Sequence, residues 1–395
     1  MRVSLLHWAF TPVIGGVESH LATLASEFAA AGHRSWLLTG AVDGLPEVEV
    51  QETLEIHRAA EMSLGKGFHR LTEAGLAAVF GAFLDSSRPD VLHAHNMHYF
   101  SRRHLASLVR VARRRGLPLI LTAHNVWDDS LWWAMCQLSR AWDAVIAVSS
   151  YIADELIAAG FPADRIAVVR HGISTRCFRP LAGGERGSLE RAFPDLARRP
   201  VIFHPARTSL VKGSLVAVRA LARIHQDVPE AVLVLAGMGE VVDWGGHRAR
   251  EISAIRAEAE RLGVGDAVLF RSFTRDEMAK VFRLAAVTIY PSLNHEPFGL
   301  AVLEAMASAS PVVVSRSGGM PEFVRDGETG FIVPRGDDAS LADRIRLLLR
   351  DERLARHLGD QARAHVERHH TARTMARATL DVYDSALGSV RSRTA

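Results

Sequence analysis

Short apolar runs recur along this chain, separated by longer stretches in which apolar residues return every third or fourth position. The runs fit strands buried on both faces, and the longer stretches fit helices with one buried stripe. Val3 to His7 is the first run. Gly15 and Gly16 follow as a tight turn, and Val17 to Ala30 then reads as a helix closed by Gly32. Ser35 to Thr39, Val91 to Ala94, Leu119 to Ala123, Ala144 to Val148 and Ala167 to Arg170 continue as strands, with helices over Phe68 to Leu84, Arg102 to Arg115 and Tyr151 to Ala159. The rhythm breaks where Leu181 to Ser188 is rich in glycine and charge and Pro194 and Pro200 follow. It restarts with strands at Val201 to His204, Ala231 to Ala236, Ala267 to Arg271, Val287 to Tyr290 and Pro311 to Ser315. Helices are expected over Leu215 to His225, Arg248 to Leu262, Asp276 to Leu284 and Leu300 to Ala307, and the tail from Ser340 to Val390 is mostly helical. Strands alternating with helices predict an α/β protein with parallel sheets covered on both faces. The expected organisation is two doubly wound, Rossmann-like domains, at residues 1–180 and 200–370, joined by a linker at 181–199 and followed by a terminal helical segment at 371–395. Each domain then carries a ligand crevice at its strand C-termini, and the two crevices are expected to face one central cleft.

Composition narrows the function. The 395 residues suffice for two cores, and 48% apolar with 23% charged residues is ordinary for a soluble globular protein. No apolar run reaches bilayer-spanning length. MRVSLLHWAF lacks a cleavage site of small residues and leads into a glycine pair, so it reads as a first strand rather than a signal peptide, and a cytoplasmic location is expected. Cys136 and Cys177, far apart, make neither a disulfide framework nor a metal site. A net charge of +3 is too mild for a nucleic-acid partner, though compatible with local binding of an anionic nucleotide.

The richest segment spans residues 291–334, PSLNHEPFGLAVLEAMASASPVVVSRSGGMPEFVRDGETGFIVP. Glu296 and Glu304 stand either side of a Pro-Phe-Gly-Leu turn, with seven residues between them. A helix starting near Phe298 has unpaired N–H groups at its start, a setting that holds anions such as phosphate. Glu304, inside that helix, suits sugar hydroxyls. Arg207 and Lys212 follow the first strand of the second domain and precede another helix start, which suits a diphosphate. Glu296-x7-Glu304 with Pro-Phe-Gly-Leu between resembles the donor-site signature of the retaining glycosyltransferases of family four, which have the GT-B fold; further matches span nearly the whole chain.

The resemblance implies roles. Arg207 and Lys212 would hold the donor's diphosphate, and the start of the helix at Phe298, Gly299 and Leu300 would join them. Glu296 would hold the hydroxyls of the transferred sugar, and Glu304 those of the ribose. Gly237, in Ala236-Gly237-Met238-Gly239-Glu240, matches a loop near the nucleotide, although Glu240 replaces the family's proline. Gly15 and Gly16 match the loop that meets donor phosphates, and the last helix, Thr371 to Leu387, would cross back onto the N-terminal domain. Four histidines cluster in sequence: His93, His95, His98 and His124. His93 reads as a satisfied core residue and His98 as a loop residue. His124 matches the position near the transferred sugar or reaction centre, with His95 second. Metal ligation is not expected, because no carboxylate has metal-site spacing. His171-Gly172-Ile173 reads as a structural turn. Glu18, His95, Asn96, Asn125 and Asp128 are candidate acceptor contacts, with Asp129 beside them.

The implied reaction transfers a sugar, with retention, from a nucleotide-diphosphate sugar to a hydroxyl of a small soluble acceptor, an aminocyclitol or other natural-product intermediate among the options. A UDP-linked hexose or N-acetylhexosamine is the expected donor. No cofactor and no metal are expected, since cations take the metal's place. An epimerase or hydrolase of the same fold, or a transferase with a lipid or cell-wall acceptor, are the alternatives. The arginine-rich stretch Arg102 to Arg115 reads as a solvated helix face, with membrane contact the lesser option. Trp127, Trp132 and Trp133 fit a sugar platform or a core equally.

Overall fold

A computed structural model describes residues 1–13, 15–64, 71–97, 100–237 and 248–394. The chain divides into two compact units, one formed by Met1–Gly172 with Ala372–Ala395 and the other by Ile173–Thr371.

In the first unit the apolar runs become buried strands. Its elements are β1 (Arg2–Leu6), α1 (Gly16–Ala30), β2 (Arg34–Gly40), β3 (Val48–Gln51), β4 (Leu54–Ala59), α2 (Glu73–Ser87), β5 (Val91–His95), α3 (Arg102–Arg114), β6 (Leu119–Ala123), α4 (Ser130–Cys136), β7 (Ala144–Ala147), α5 (Ser150–Ala158) and β8 (Ile166–Val168). The sheet order is β3-β4-β2-β1-β5-β6-β7-β8. All its pairings are parallel except β3 with β4. The order reverses between β1 and β5, so the loops after these two strands diverge and leave a crevice at their C-terminal ends. β3 and β4 lie on an edge and alternate in exposure, a pattern too short and too polar to stand out in the sequence. α2 starts at Glu73 because Thr72 caps it, its hydroxyl accepting from Gly75 N at 3.1 Å; Phe68, where the helix was expected to begin, lies outside the described residues.

The basic helix α3 pairs two of its exposed arginines, and the one just past its end, within its own unit. Arg113 pairs with Asp143 at 2.7 Å, Arg115, just past its end, pairs with Asp85 at 2.7 Å, and Arg110 pairs with Glu73. Those pairs offset part of the charge a membrane surface would attract.

The second unit contains α6 (Arg186–Ala192), β9 (Val201–His204), α7 (Ser214–Ile224), β10 (Val232–Leu235), α8 (Arg248–Arg261), β11 (Val268–Phe270), α9 (Arg275–Leu284), β12 (Val287–Tyr290), α10 (Leu300–Ala307), β13 (Val312–Ser315), β14 (Phe331–Val333), α11 (Asp338–Arg350) and α12 (Glu352–His369). Its sheet runs β11-β10-β9-β12-β13-β14 and is parallel throughout. This is a Rossmann order, with the reversal between β9 and β12. Residues 181–199, expected as a linker, carry α6 and belong to this unit. Leu189 and Leu196 are buried, and Glu185 accepts from Arg179 Nη1 at 2.9 Å and pairs with Arg283 at 3.1 Å. Two leucines and one ion-pair hub anchor the segment without the periodicity a helix usually announces.

The last helix, α13 (Ala372–Thr394), returns to the first unit. Met375, Ala376, Tyr383 and Ala386 join Val3, Leu5, Leu21, Phe28 and Val91 in one buried cluster. Tyr383 donates to or accepts from His93 Nδ1 at 2.6 Å. Among the described residues no helix is long and apolar enough to cross a membrane.

Candidate active site

The reversal in the second sheet brings together two loops far apart in sequence. The loop after β9 carries Arg207 and Lys212, and the loop after β12 carries Ser292 and Glu296. The loops touch through Leu293 N donating to Val211 O at 3.0 Å. Gly213, at φ +82°, makes the approach possible: a Cβ there would sit 1.9 Å from the Pro291 carbonyl oxygen.

Glu296 is the focus of this contact. It is buried, and its Oε1 accepts from Lys212 Nζ at 2.6 Å and from Ser292 Oγ at 2.7 Å. The Tyr290 hydroxyl is also hydrogen-bonded to it, and burial first, then the Glu296 charge, holds that hydroxyl well above its ordinary pKa. The backbone of Glu296 is equally fixed. Its N–H donates to Ser317 Oγ at 3.0 Å and its carbonyl accepts from Gly319 N at 2.8 Å. Gly318 sits at φ +48°, where a Cβ would fall 2.0 Å from the Glu296 carbonyl oxygen. Gly318 and Gly319, within the 291–334 segment, therefore form a seat for Glu296.

Two helices start at this site. α7 and α10 have glycine N-caps, Gly213 and Gly299, both in the left-handed region and neither offering a side-chain acceptor to the first N–H groups. Those donors stay available to an anion. Phe298, just before, is buried and stacks on Phe323 at 4.8 Å, which fixes the entry to α10. Glu304 lies one turn into α10 and is half-buried. Burial pushes its pKa up to about 7, against the pull of Arg275 at the start of α9. Arg207 is exposed, its charge reaches Tyr290, and among the described residues it makes no ion pair. Gly237, at φ +87°, lets the end of β10 lie against Arg207: a Cβ there would be 2.7 Å from Arg207 Cα. Met238, Gly239 and Glu240 lie outside the described residues.

In the first unit the strand ends gather the polar residues expected there. His95 ends β5 and His124 follows β6; His95 Nδ1 and His124 Nε2 are 2.9 Å apart. Asn96, at φ +52°, accepts from the His124 backbone N–H at 2.8 Å and so sets the start of that loop. Asn125 follows it, half-buried. His93 has both ring nitrogens bonded, to Tyr383 and to Thr122 Oγ1 at 2.7 Å, inside the core. His98 lies outside the described residues. The acidic candidates are engaged within the chain. Glu18 is buried and pairs with His7 Nε2 at 3.1 Å, folded back over Gly15, which caps α1 just before Gly16. Asp128 accepts from Trp133 Nε1 at 2.9 Å, and Asp129 caps α4 by accepting from Trp132 N at 2.7 Å. Trp127 and Trp133 are exposed, while Trp132 is buried. His171, expected in a structural turn, is buried with its Nδ1 3.1 Å from His20 Nδ1.

Sequence reasoning passed over Tyr290, Ser292 and Ser317, which hold Glu296, and His7 and His20 in the first unit. Tyr290 closes an apolar run and reads as core. The other four are common residue types with no motif of their own: Ser292 sits on the same loop as Glu296, Ser317 reaches it from beyond β13, and His7 and His20 meet partners within the first unit.

The family description "Glycosyl transferases group 1" matches residues 189–365, and "Glycosyltransferase Family 4" matches residues 14–176. The chain is 29% identical over 420 residues to a glycogen synthase of Mycobacterium tuberculosis, covering 97% of this chain and 94% of that one. It is 30% identical over 421 residues to a D-inositol 3-phosphate glycosyltransferase of Streptomyces avermitilis, covering 100% of this chain and 88% of the relative. The crystal structure of Anabaena HepE in complex with UDP and glucose superposes with a TM-score of 0.78 at 20% identity, over 98% of this chain and 100% of that one. With two parallel α/β units and these matches along its length, the chain belongs to the family 4 glycosyltransferases and has their GT-B fold.

Proposed function

We propose that this glycosyltransferase moves a hexose or N-acetylhexosamine, with retention, from a UDP-linked donor to a hydroxyl of a small soluble acceptor, without a cofactor or a metal in the chemical step. The observation that carries the reading is the buried Glu296 carboxylate held by Lys212 at 2.6 Å between two uncapped helix starts. An ammonium has three protons, so Lys212 keeps donors for a phosphate while it steadies Glu296.

The anomeric carbon–oxygen bond breaks, and its electron pair leaves with the diphosphate. That charge meets Arg207, Lys212 and the N–H groups at Phe298, Gly299 and Leu300. Glu296 holds sugar hydroxyls and offsets the positive charge growing on the ring. The acceptor oxygen bonds to the same face, and its proton passes to the departing diphosphate. Glu304 receives the ribose hydroxyls, Gly237 borders the nucleotide, and Gly15 and Gly16 allow close approach of phosphate. His124, with His95, Asn96 and Asn125 around it, would serve the transferred sugar and the acceptor. UDP is supported by the HepE complex, and a small hydroxylated acceptor by the relative named for D-inositol 3-phosphate. Glu18 and Asp128 already have partners, which argues against their reading an amine on the acceptor.

Removing one such charge-stabilising donor typically costs about 10²–10³-fold in turnover, so Arg207→Ala and Lys212→Ala should each lose that much while melting as folded proteins. Unchanged turnover in both overturns the assignment. UDP should raise the melting temperature of the unliganded chain; a panel of nucleoside diphosphates with no shift rejects the ligand class. Fast release of UDP from donor alone, with no acceptor, would instead mark a hydrolase.

A further inference from the structure

Four imidazoles meet at the other sheet reversal, where β1 and β5 diverge. His20 comes from α1, His95 from the end of β5, His124 from the residue after β6, and His171 from the segment beyond β8. The His20 ring centroid lies 5.4 Å from that of His95 and 4.8 Å from those of His124 and His171. One ring nitrogen from each of His20, His95 and His124 lies within 4.8 Å of the others. His95 Nδ1 and His124 Nε2 are only 2.9 Å apart. These three side chains are nine-tenths or more buried, with residue exposures of 7%, 0% and 6%.

Hydrogen bonding leaves this cluster unfinished. His20 Nε2 and His95 Nε2 are buried with no hydrogen-bond partner. Buried polar atoms are normally paired, and those that are not call for an explanation such as a bound ion. Burial first, then the neighbouring imidazoles, hold His20, His95 and His124 well below the ordinary histidine value, which favours the neutral ring. Neutral imidazole is the commonest protein metal ligand.

We propose that His20, His95 and His124 form a site for one divalent transition-metal ion of the class imidazole prefers, Zn²⁺ foremost, with a fourth position open. Three-histidine sites with an open position are an established zinc arrangement. Tetrahedral bonds of about 2.0–2.1 Å put ligand nitrogens roughly 3.4 Å apart, so loading requires the 2.9 Å His95–His124 hydrogen bond to open and the wider spacings, up to 4.8 Å, to close. His171 Nδ1, 3.1 Å from His20 Nδ1, fixes the His20 ring from behind, as outer-shell partners of metal-bound histidines do. An ion here ties α1 to the ends of β5 and β6. The site shares His95 and His124 with the sugar and acceptor side of the proposed function, but none of the diphosphate-binding residues of the second unit. Because an ion would engage His124, turnover of the second-unit variants is measured on chelator-stripped protein, which separates failure of one proposal from failure of the other.

The test uses the full chain, stripped with chelator and titrated with Co²⁺ as a spectroscopic stand-in for Zn²⁺. The expected result is one Co²⁺ per chain with ligand-field bands of a low-coordinate site, displaced by Zn²⁺. His20→Gln, shown to melt as a folded protein, should bind at least tenfold more weakly; if it does not fold, His95→Gln is read in the same way. X-ray absorption of the Zn²⁺-loaded wild type gives a reading that needs no variant, and should show three imidazole nitrogens. No uptake by the wild type, equal affinity in a folded variant, or an oxygen-dominated shell overturns the proposal and leaves a hydrogen-bonded histidine network.

Discussion

Glu304 shows how one side chain's surroundings become a measurable property. Burial lifts its pKa from 4.5 to about 7. The raised value means that the folded chain keeps a proton between those values which the unfolded chain has released. The associated stability is therefore present below pH 4.5 and lost as pH rises through 7. In the proposed role a ribose hydroxyl would donate to the ionised carboxylate, so nucleotide binding would favour the charged form. Affinity for UDP should then rise about tenfold from pH 6 to pH 8, following the ionised fraction of a group with a pKa near 7. Titration calorimetry at both pH values checks this, with Glu304→Gln as the control for ionisation of the nucleotide itself. An equal pH response in the variant would remove Glu304 from the site. Gly318 is a second case. Any Cβ there meets the Glu296 carbonyl at 2.0 Å in a left-handed backbone. Gly318→Ala should cost about 1–2 kcal/mol in backbone conformation alone, and should lower kcat by moving Glu296; a variant with wild-type kcat and melting temperature would refute the seat. Lys212 and Glu296, which the structure brings into contact, were legible in the sequence through their spacing around two helix starts and through the family resemblance. The groups that hold them were not: Tyr290, Ser292 and Ser317 are ordinary residues whose meaning comes from the sheet.

At the scale of elements, the strands β9, β12 and β13 and the helix α10 were legible because continuous apolar runs and an uninterrupted small-residue helix leave few other structures open. The β3–β4 pair and α6 were not, since each is anchored by tertiary contacts rather than by its own pattern. What the elements contribute to the candidate site is the meeting of two loops across the reversal between β9 and β12. That meeting rests on Gly213, whose missing Cβ lets the loop before α7 pack on the Pro291 carbonyl. Gly213→Ala should separate the loops, at about 1–2 kcal/mol for the left-handed backbone and about 1–3 kcal/mol more for overpacking. The Lys212–Glu296 pair would lengthen with it. We expect lower stability in urea and a larger fall in kcat than in KM, since donor contacts at α10 survive while the cation is displaced. Loss of stability with turnover intact would show that the loop contact is structural alone.

The whole chain builds its first unit from both ends of the sequence, which no local pattern announces: α13 is separated from β1 by the entire second unit, yet shares its core. The helical tail was legible, and the resemblance supplied where it goes; its energetic weight comes only from the packing. Tyr383 is fully buried, with its ring 5.8 Å from Phe28 and its hydroxyl on His93 at 2.6 Å. Two substitutions separate these contributions. Tyr383→Phe keeps the ring and strands a buried His93 nitrogen, at a cost of about 1–3 kcal/mol. Tyr383→Ala adds a cavity, for a total of about 3–5 kcal/mol by analogy with other buried aromatic truncations. A single unfolding curve is a poor gauge for a chain of two units, so hydrogen exchange resolved by peptide is the fitting measurement. Amides of β1, β5 and α1 should lose protection in the order wild type, Tyr383→Phe, Tyr383→Ala, while those of β9, β12 and β13 keep theirs. Equal loss in both units would mean that α13 secures the chain as one cooperative block, and no loss in either would mean that the helix lies on the first unit without holding it together.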